Sequence, residues 1–320
     1  MSTILKWAGN KTAIMPELVK HLPIGSRLVE PFAGSCAVMM ATDYPHYLVA
    51  DINPDLIGLY SVIKNGPELL ISIGKDLFAK NKTPEDYYDI RREFNHGRDW
   101  PADCRAAMFI YLNRHCYRGL CRYNKRGEFN VPYGNYKQPY FPENEIRAFA
   151  EKAKRATFIC ASYDETLAML QHGDVVYCDP PYDGTFTGYH TAGFTEADQR
   201  RLAAILDSCS SKGHPVIASN SDTPLTRSLY KDFLLHHIDA PRSVGISAGE
   251  TKRAAEIIAV SGRPVIITGY DPGDTGEYAA ECVVSFNPSA GVYTLLSARK
   301  TQEKKFLKPF INIGMGLAHD

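Results

Sequence analysis

The chain has 320 residues, 44% of them hydrophobic, so it is long enough to bury a substantial core and to hold two domains. Its 36 basic and 36 acidic side chains cancel. A net charge of zero argues against a protein that coats nucleic acid indiscriminately, because such binding depends on neutralising phosphates. No run is long and apolar enough to span a membrane and no secretory signal is visible, so we expect a cytoplasmic protein with no membrane partner.

The first distinctive segment, residues 6–11, reads Lys-Trp-Ala-Gly-Asn-Lys. It places two cations and an indole ahead of the first predicted strand. A solvated amphipathic terminus would have the same composition, so the segment gains meaning only from the motifs that follow it.

Residues 28–38 predict a strand, a loop and the start of a helix, with Glu30 and Gly34 in the loop. One glycine stands where a dinucleotide fingerprint needs three, so the loop does not predict a pyrophosphate site. The next apolar run, residues 47–50, ends at Asp51, where an acidic side chain meets ribose hydroxyls in such folds. A nucleoside without a diphosphate fits best, and a plain strand-to-helix turn is the alternative.

Residues 54–140 interrupt this alternation of strand and helix with mostly helical patterns, which predict a small inserted domain. We expect its periodic apolar residues to be core rather than ligand contacts. They are Leu56, Ile57, Tyr60 and Ile63, then Tyr87, Ile90 and Phe94, then Ala107, Ile110 and Tyr111.

A basic, aromatic patch occupies residues 113–137 of the insert. Its acidic residue is Glu128, and its tyrosines alternate with its cations. Such a patch is typical of a nucleic-acid surface, and a solvated hairpin is the alternative. The cations are Arg114, Arg118, Arg122, Lys125, Arg126 and Lys137, and the tyrosines are Tyr117, Tyr123, Tyr133 and Tyr136.

Residues 175–178, Val-Val-Tyr-Cys, predict a buried strand that leads directly into Asp179-Pro180-Pro181-Tyr182. Two prolines continue neither a helix nor a ladder, so these side chains stand at the carboxyl edge of a sheet, where open α/β sheets bind ligands. A carboxylate, rigid carbonyls and an aromatic face together suit an exocyclic amine on a planar base. The alternative is a strand-ending turn with a hydrogen bond from the Asp179 backbone to its own side chain.

Further strands at residues 216–219, 234–238 and 256–260 predict a mainly parallel sheet with helices on both faces. Between them, the Gly- and Thr-rich residues 184–194 are a candidate mobile lid.

After residue 263 the sequence predicts a short β-meander with a tight acidic turn at residues 271–276. The strand and acidic turn loosely resemble the start of a ribonuclease-H-like nuclease, but too few residues remain for a complete nuclease domain. A structural appendage or a partner-binding tail is the favoured interpretation.

The eight cysteines lack the close paired spacings of a zinc site. Cys36, Cys160 and Cys178 lie in apolar or turn segments, where a buried thiol is the usual outcome, and this suits a reducing compartment. Histidines on a strand beside a core are more often structural than metal-binding, so we predict no metal. The conceivable ligands are His236, His237 and Glu256.

Taken together, residues 6–11, 30–35, 50–53 and 179–182 resemble the Dam-type DNA adenine-N6 methyltransferases. The resemblance extends through about residues 4 to 262, with further matching blocks at residues 119–124, 127–132, 137–142 and 219–223. The motifs follow that family's α arrangement, in which the cofactor half precedes the recognition insert and the catalytic motif comes last.

The resemblance implies a class I methyltransferase-like, Rossmann-like α/β fold that uses S-adenosyl-L-methionine and acts on double-stranded DNA. It divides the chain into a catalytic domain in two parts, a mostly helical target-recognition domain and a β-rich extension of unknown role. These parts are residues 1–54 and 143–262, residues 55–142, and residues 263–320.

Carried over residue by residue, the resemblance implies a cofactor site at one edge of the sheet. Lys11 would face the carboxylate of the methionine end, Asp51 would bind the ribose, and Ile52 would pack on the adenine ring. The implied cofactor residues are Trp7, Lys11, Glu30, Phe32, Gly34, Asp51, Ile52, Tyr163 and Asp179.

In the implied target pocket, Asp179 and the Pro180 carbonyl would accept the hydrogens of the adenine N6 amine while Tyr182 stacks on the base. These three are the candidate catalytic residues. The implied DNA-binding residues are Tyr117 and Leu120, which would wedge against the duplex, and Arg122 and Lys6, which would each read a guanine. This set implies recognition of GATC.

Two other functions stay open. Methylation of a cytosine amine or of RNA is less favoured, because an aspartate rather than a serine precedes Pro-Pro-Tyr. A non-catalytic, sequence-specific DNA-binding module would have no reason to retain all of Lys11, Asp51, Asp179 and Tyr182. The sequence leaves the oligomeric state and the biological role undetermined.

Overall fold

The computed structural model describes residues 3–97, 99–184, 194–242, 252–261, 263–270, 277–287 and 292–300. The strands are β1 Arg27–Glu30, β2 His46–Asp51, β3 Ala156–Cys160, β4 Asp174–Cys178, β5 Val216–Ser221, β6 Leu234–Arg242, β7 Lys252–Val260, β8 Arg263–Tyr270, β9 Glu277–Asn287 and β10 Val292–Lys300. The helices are α1 Met15–Leu18, α2 Ala37–Ala41, α3 Pro54–Asn65, α4 Glu68–Lys80, α5 Pro84–His96, α6 Ala102–His115, α7 Glu143–Ala153, α8 Tyr163–Leu167, α9 Glu196–Ser211 and α10 Pro224–Leu229. Short 3₁₀ turns occupy Lys11–Ala13, Val19–His21 and Tyr117–Gly119.

Seven strands form one sheet in the order β3-β2-β1-β4-β5-β7-β6. The pairs β1–β2, β2–β3, β1–β4 and β4–β5 are parallel, whereas β7 runs antiparallel to both β5 and β6. The predicted mainly parallel α/β sheet is therefore confirmed. The chain moves outward from β1 to β3 and then returns to the other side of β1 for β4. The strand order thus reverses between β1 and β4, which is the position where open α/β sheets bind ligands.

Helices cover both faces of this sheet, as the alternation along β4 demonstrates. Val175 and Tyr177 join the apolar cluster that contains Met39 of α2, whereas Val176 joins the cluster that contains Leu202 of α9. All five residues of β4 are buried. Successive side chains of a strand point to opposite faces, and strands covered on both faces are continuously apolar, so the sequence pattern required this arrangement.

The predicted helical insert is present as α3 to α6. Helix α6 packs against α3, α4 and α5, and its residues from Ala106 to His115 are all buried. A helix that is buried on every side belongs at the centre of its bundle. The predicted apolar residues of α3 and α5 face the same core, among them Tyr60, Ile63 and Tyr87.

The predicted meander near the end of the chain is present as three antiparallel strands in the order β10-β9-β8. Its acidic turn at residues 271–276 lies outside the described residues, as does the tail from residue 301. The candidate lid also lies outside them, at residues 185–193.

The expectation of buried thiols is correct for Cys36 and Cys178 and wrong for Cys160, which is exposed. Cys160 ends β3, the first strand in the order of the sheet, so among the described strands only β2 pairs with it. Among the helices that the structure describes, none is long and apolar enough to cross a membrane.

Candidate active site

The centre of the site is an ion pair between Lys11 and Asp179, two residues that are far apart in the sequence. The ammonium of Lys11 lies 2.7 Å from Oδ2 of Asp179, and it also donates to the carbonyl of Gly9 at 2.5 Å. The Lys11 side chain is only 7% exposed and that of Asp179 20%. Asp179 follows β4 directly, so this pair sits at the carboxyl edge where the strand order reverses.

The second carboxylate oxygen of Asp179 has no such partner. Oδ1 is buried and accepts no hydrogen bond from the described residues. Burial raises the pKa of Asp179, and the charge of Lys11 acts in the opposite direction. A buried acceptor that is left without a donor is costly in a folded protein, so this atom is oriented for a ligand that carries N–H groups.

Glu30, at the end of β1, provides a second buried carboxyl group. It is 2% exposed, and its Oε1 also lacks a hydrogen-bond partner among the described residues. Burial, followed by the negative charge of Asp179, raises the pKa of Glu30 to about 8. At neutral pH Glu30 is therefore mainly uncharged, so of these two neighbouring carboxyl groups Asp179 carries the negative charge.

The loop after β1 is tied to the end of β2. The backbone N–H of Gly34 donates to Oδ2 of Asp51 at 3.1 Å, and Tyr60 of α3 donates to the Gly34 carbonyl at 2.6 Å. Gly34 has a φ of 46°, and a methyl group here would lie 2.8 Å from the indole nitrogen of Trp7. Only glycine allows both this backbone conformation and the close approach of the indole. The structure thus places Trp7, Gly34 and Asp51 together.

Aromatic rings form a wall further along the same edge. Phe32 stacks on Tyr163 at 5.5 Å between centroids, and Phe194 packs edge-on against both rings. Ile52, which follows β2, is 46% exposed, and such exposure of an aliphatic side chain is consistent with a place for a planar ligand. Sequence reasoning missed Tyr60 and Phe194 because both come from segments that read as ordinary helix or loop.

Tyr182 stands over the central ion pair. The Lys11 ammonium lies 4.8 Å from the centroid of its ring, and its hydroxyl donates to Oε2 of Glu256 at 3.0 Å. Glu256 belongs to β7, so the antiparallel strand helps to orient the ring. The sequence named Glu256 only as a conceivable metal ligand.

His237, another conceivable metal ligand, forms a 2.9 Å contact from its Nδ1 to Asp222. Across the described ranges, no group of three or more His, Cys, Asp or Glu side chains is arranged to hold a metal ion.

Two of the segments that carry the predicted DNA-binding residues meet at Asn113 of α6. The buried Asn113 amide accepts from the backbone N–H of Lys6 and donates to the carbonyls of Lys6 and Gly119. Gly119 has a φ of 66°, and a side chain here would overlap that of Lys6. The Lys6 ammonium lies 3.9 Å from the Tyr136 centroid. The structure thus brings Lys6 beside the turn at 117–119.

The other predicted DNA-binding residues belong to a hairpin that begins with the turn at 117–119. Isolated β-bridges from Cys116 to Tyr133 and from Tyr123 to Phe129 close this hairpin. Tyr117 is 46% exposed, and Leu120 is partly buried against the core. The Arg122 guanidinium donates to the side chain of Asn130 at 2.8 Å and to its carbonyl at 3.2 Å. These bonds restrict the orientation of the guanidinium.

The fold and this edge define an α/β protein with a candidate ligand site at the point where the strand order reverses. The sequence matches the family described as D12 class N6 adenine-specific DNA methyltransferase over residues 7–244. The chain belongs to this family.

Relatives of known name cover most of the chain. The Retron Ec67 DNA adenine methylase of Escherichia coli is 66% identical over 292 residues, which are 91% of this chain and 96% of the relative. A DNA adenine methylase of Escherichia coli is 45% identical over 262 residues, or 80% of this chain and 94% of the relative. A DNA adenine methylase of Vibrio cholerae is 46% identical over 263 residues, with the same coverage of both chains.

Family membership implies a DNA substrate and S-adenosylmethionine as methyl donor, and the residues at this edge fit such a molecule. Lys11 is a cation for its carboxylate, and an ammonium has three donors, of which Gly9 and Asp179 take two. Asp51 is an acceptor at the end of β2, and Ile52 with the ring of Tyr163 offers apolar surface to an adenine ring.

Proposed function

We propose that this chain transfers a methyl group from S-adenosylmethionine to the N6 amine of adenine in duplex DNA, at GATC, after the base has been flipped out of the helix. The observation that carries the proposal is the Asp179 carboxylate. One of its oxygens is held by Lys11, and the other is buried at the ligand-binding edge of the sheet with no hydrogen-bond partner among the residues that the structure describes. That free acceptor suits an exocyclic amine.

The residues suffice because the reaction needs orientation more than a strong base. S-adenosylmethionine supplies an electrophilic methyl group on a sulfonium. The Asp179 carboxylate and the Pro180 carbonyl accept both hydrogens of the amine, which favours tetrahedral nitrogen and directs its lone pair towards the methyl group. Positive charge develops on the nitrogen as it bonds to the methyl carbon and the carbon–sulfur bond breaks, so Asp179 interacts more strongly with the transition state than with neutral adenine. The sulfur leaves as a neutral thioether, and the methylated nitrogen releases one proton to solvent.

The target amine is out of reach inside a stacked duplex, and extruding the base costs a few kcal/mol. The Tyr182 ring offsets part of that cost, because stacking on an aromatic ring is worth about 1 to 3 kcal/mol per base. The bond from its hydroxyl to Glu256 limits rotation of the ring, so less entropy is lost when the base stacks.

Arg122 and Lys6 would read the two guanines of the duplex site. An arginine that bonds to O6 and N7 of a guanine discriminates by about 1 to 3 kcal/mol. The hydrogen bond that Arg122 donates to Asn130 fixes the orientation of the guanidinium. Asn113 bonds to both Lys6 and the turn that carries Tyr117. The side chains proposed to contact the duplex therefore form one surface.

Incubation of a GATC-containing plasmid with tritiated S-adenosylmethionine tests the proposal, followed by digestion with methylation-sensitive and methylation-dependent nucleases. We expect label in adenine and a changed digestion pattern at GATC sites, and a duplex with GTTC in place of GATC is the matched control. Label at other sites would overturn the proposed specificity. Label in cytosine or RNA alone would favour methylation of a cytosine amine or of RNA instead. Absence of label would favour a non-catalytic, sequence-specific DNA-binding module.

A further inference from the structure

Two buried amide side chains, Gln199 of α9 and Asn220 of β5, lie directly behind the Asp-Pro-Pro-Tyr loop. They are 2% and 0% exposed. Asn220 donates from Nδ2 to Oε1 of Gln199 at 3.0 Å, so the two amides form a chain. Nothing in the chemistry described above uses either of them.

The ends of this chain hold the backbone on both sides of Tyr182. Gln199 donates from Nε2 to the carbonyl of Pro181 at 2.7 Å, and Oδ1 of Asn220 accepts from the N–H of Asp183 at 3.1 Å. The same Oδ1 accepts from the N–H of Ser221 at 2.8 Å. The positions of the atoms just before and just after Tyr182 are therefore fixed relative to the sheet.

Two further side chains extend the contact at Asp183. The Ser221 hydroxyl donates to the Asp183 carbonyl at 2.9 Å, and the Thr223 hydroxyl donates to its carboxylate at 2.8 Å. Both belong to residues 219–223, the block that the sequence resemblance included without assigning it a role. The loop that follows β4 is thus held from β5 and the start of α10.

The loop needs such support because of its prolines. Pro180 and Pro181 have no backbone N–H, so this stretch cannot continue the ladder with β1 or β5. Buried amides are costly unless their donors and acceptors are satisfied, and in Gln199 and Asn220 they are satisfied by the loop and by each other. Side-chain amides replace the missing strand hydrogen bonds.

We propose that Gln199 and Asn220 are positioning residues for methyl transfer, which set the place of the Pro180 carbonyl and the Tyr182 ring through the backbone between them. This inference rests on the proposed function of the same site. A displacement of about 1 Å in a reacting group can lower a rate by about a hundredfold, so loss of this support affects the chemical step.

The test is Gln199→Met, which keeps the volume and removes both hydrogen bonds. Single-turnover methylation of a duplex with one GATC, at saturating DNA and S-adenosylmethionine, should slow at least about tenfold. The Kd for S-adenosylmethionine should change less than about twofold, because Trp7, Lys11 and Asp51 are untouched. A single-turnover rate equal to that of the unaltered protein would overturn the inference.

The matched control is Leu206→Ala, which removes a buried apolar side chain from the same helix, two turns beyond Gln199. It should lower the melting temperature at least as much as Gln199→Met and leave the single-turnover rate near that of the unaltered protein. Equal rate losses in both variants would mean that general destabilisation, rather than positioning, is responsible.

A second variant, Gln199→Glu, keeps the acceptor for Asn220 and loses the donor to Pro181 unless the new carboxyl group is protonated. Its rate relative to that of the unaltered protein should therefore rise as the pH falls, since burial beside a carbonyl raises the pKa of a carboxyl group. A ratio independent of pH would contradict the inference. If the unaltered protein does not methylate DNA, the proposed function itself fails. If it does and both Gln199 variants match its rate, only the positioning role fails.

Discussion

The ligand-binding edge of the sheet and the recognition surface are built in different ways. At the edge, Asp179, Asp51 and Tyr182 are each held by another side chain or backbone group, and the central ion pair is largely buried. On the proposed recognition surface, Arg122 and Lys6 are also held, by Asn130 and Asn113, but Tyr117 is 46% exposed and its neighbour Arg118 has a φ of 56°. Changes at the edge should therefore affect rate and stability together, whereas changes on the surface should affect the choice of DNA sequence.

The largest effect is expected for Asp179→Ala. The variant loses the acceptor for the target amine, and we expect methyl transfer to fall by about a thousandfold or more. The fold should persist with a lower melting temperature, because Lys11 is left buried without its partner. Single-turnover labelling and circular dichroism measure the two effects. Activity within tenfold of the unaltered protein would refute a central role for this carboxylate.

Arg122→Ala should act on specificity. Loss of a bidentate guanine contact costs about 1 to 3 kcal/mol, so kcat/KM on GATC should fall by about ten- to a hundredfold while sites altered at that guanine are affected far less. Lys125→Ala, at an exposed cation of the same hairpin, is the control and should preserve the ratio between the two sites. An unchanged ratio for Arg122→Ala would remove this residue from the reading of the sequence.

Tyr182→Ala should weaken capture of the extruded base by about 1 to 3 kcal/mol. Tyr182→Phe keeps the ring and loses the hydroxyl that donates to Glu256, so its effect should be smaller. Fluorescence of 2-aminopurine at the target position reports extrusion and stacking, and it separates the two variants. Identical behaviour of the alanine and phenylalanine variants would argue against stacking.

The smallest effect on the methylation rate is expected at Glu30, where the change concerns stability and its dependence on pH. Its pKa is about 8 in the folded chain against an ordinary value of 4.5, so between these values the folded state holds a proton that the unfolded state has lost. The free energy of unfolding should therefore decrease as pH rises through this window, by up to about 1.4 kcal/mol per pH unit from this group. The Glu30→Gln variant should show a shallower decrease in melting temperature from pH 5 to pH 8. Parallel curves would contradict the shifted pKa.

Much of the edge could be predicted from sequence because its residues follow directly after apolar runs. Asp51 ends the run that forms β2, and Asp179 follows the run that forms β4, so strand prediction alone places both at one edge. The helices of the insert could be predicted equally well, because the apolar residues at helical spacing in α3 and α5 are the residues that these helices bury.

The supporting residues could not be predicted in this way. Gln199 lies in the polar first turn of α9, and Glu256 lies in a strand that also pairs with β5, where it faces Ser221. Their roles depend on contacts that span 18 and 74 residues, and no local pattern encodes such contacts. The prediction that Cys160 is buried was wrong for a related reason, because the position of a strand within a sheet depends on the topology of the whole sheet.

The most direct test of the central claim is a crystal structure with S-adenosylhomocysteine and a GATC duplex. We predict an extruded adenine whose N6 lies within hydrogen-bond distance of both Oδ1 of Asp179 and the Pro180 carbonyl. The sulfur of S-adenosylhomocysteine should lie on the side of N6 that faces away from these two acceptors. An adenine stacked within the duplex, or a cofactor bound away from Lys11 and Asp51, would contradict the account.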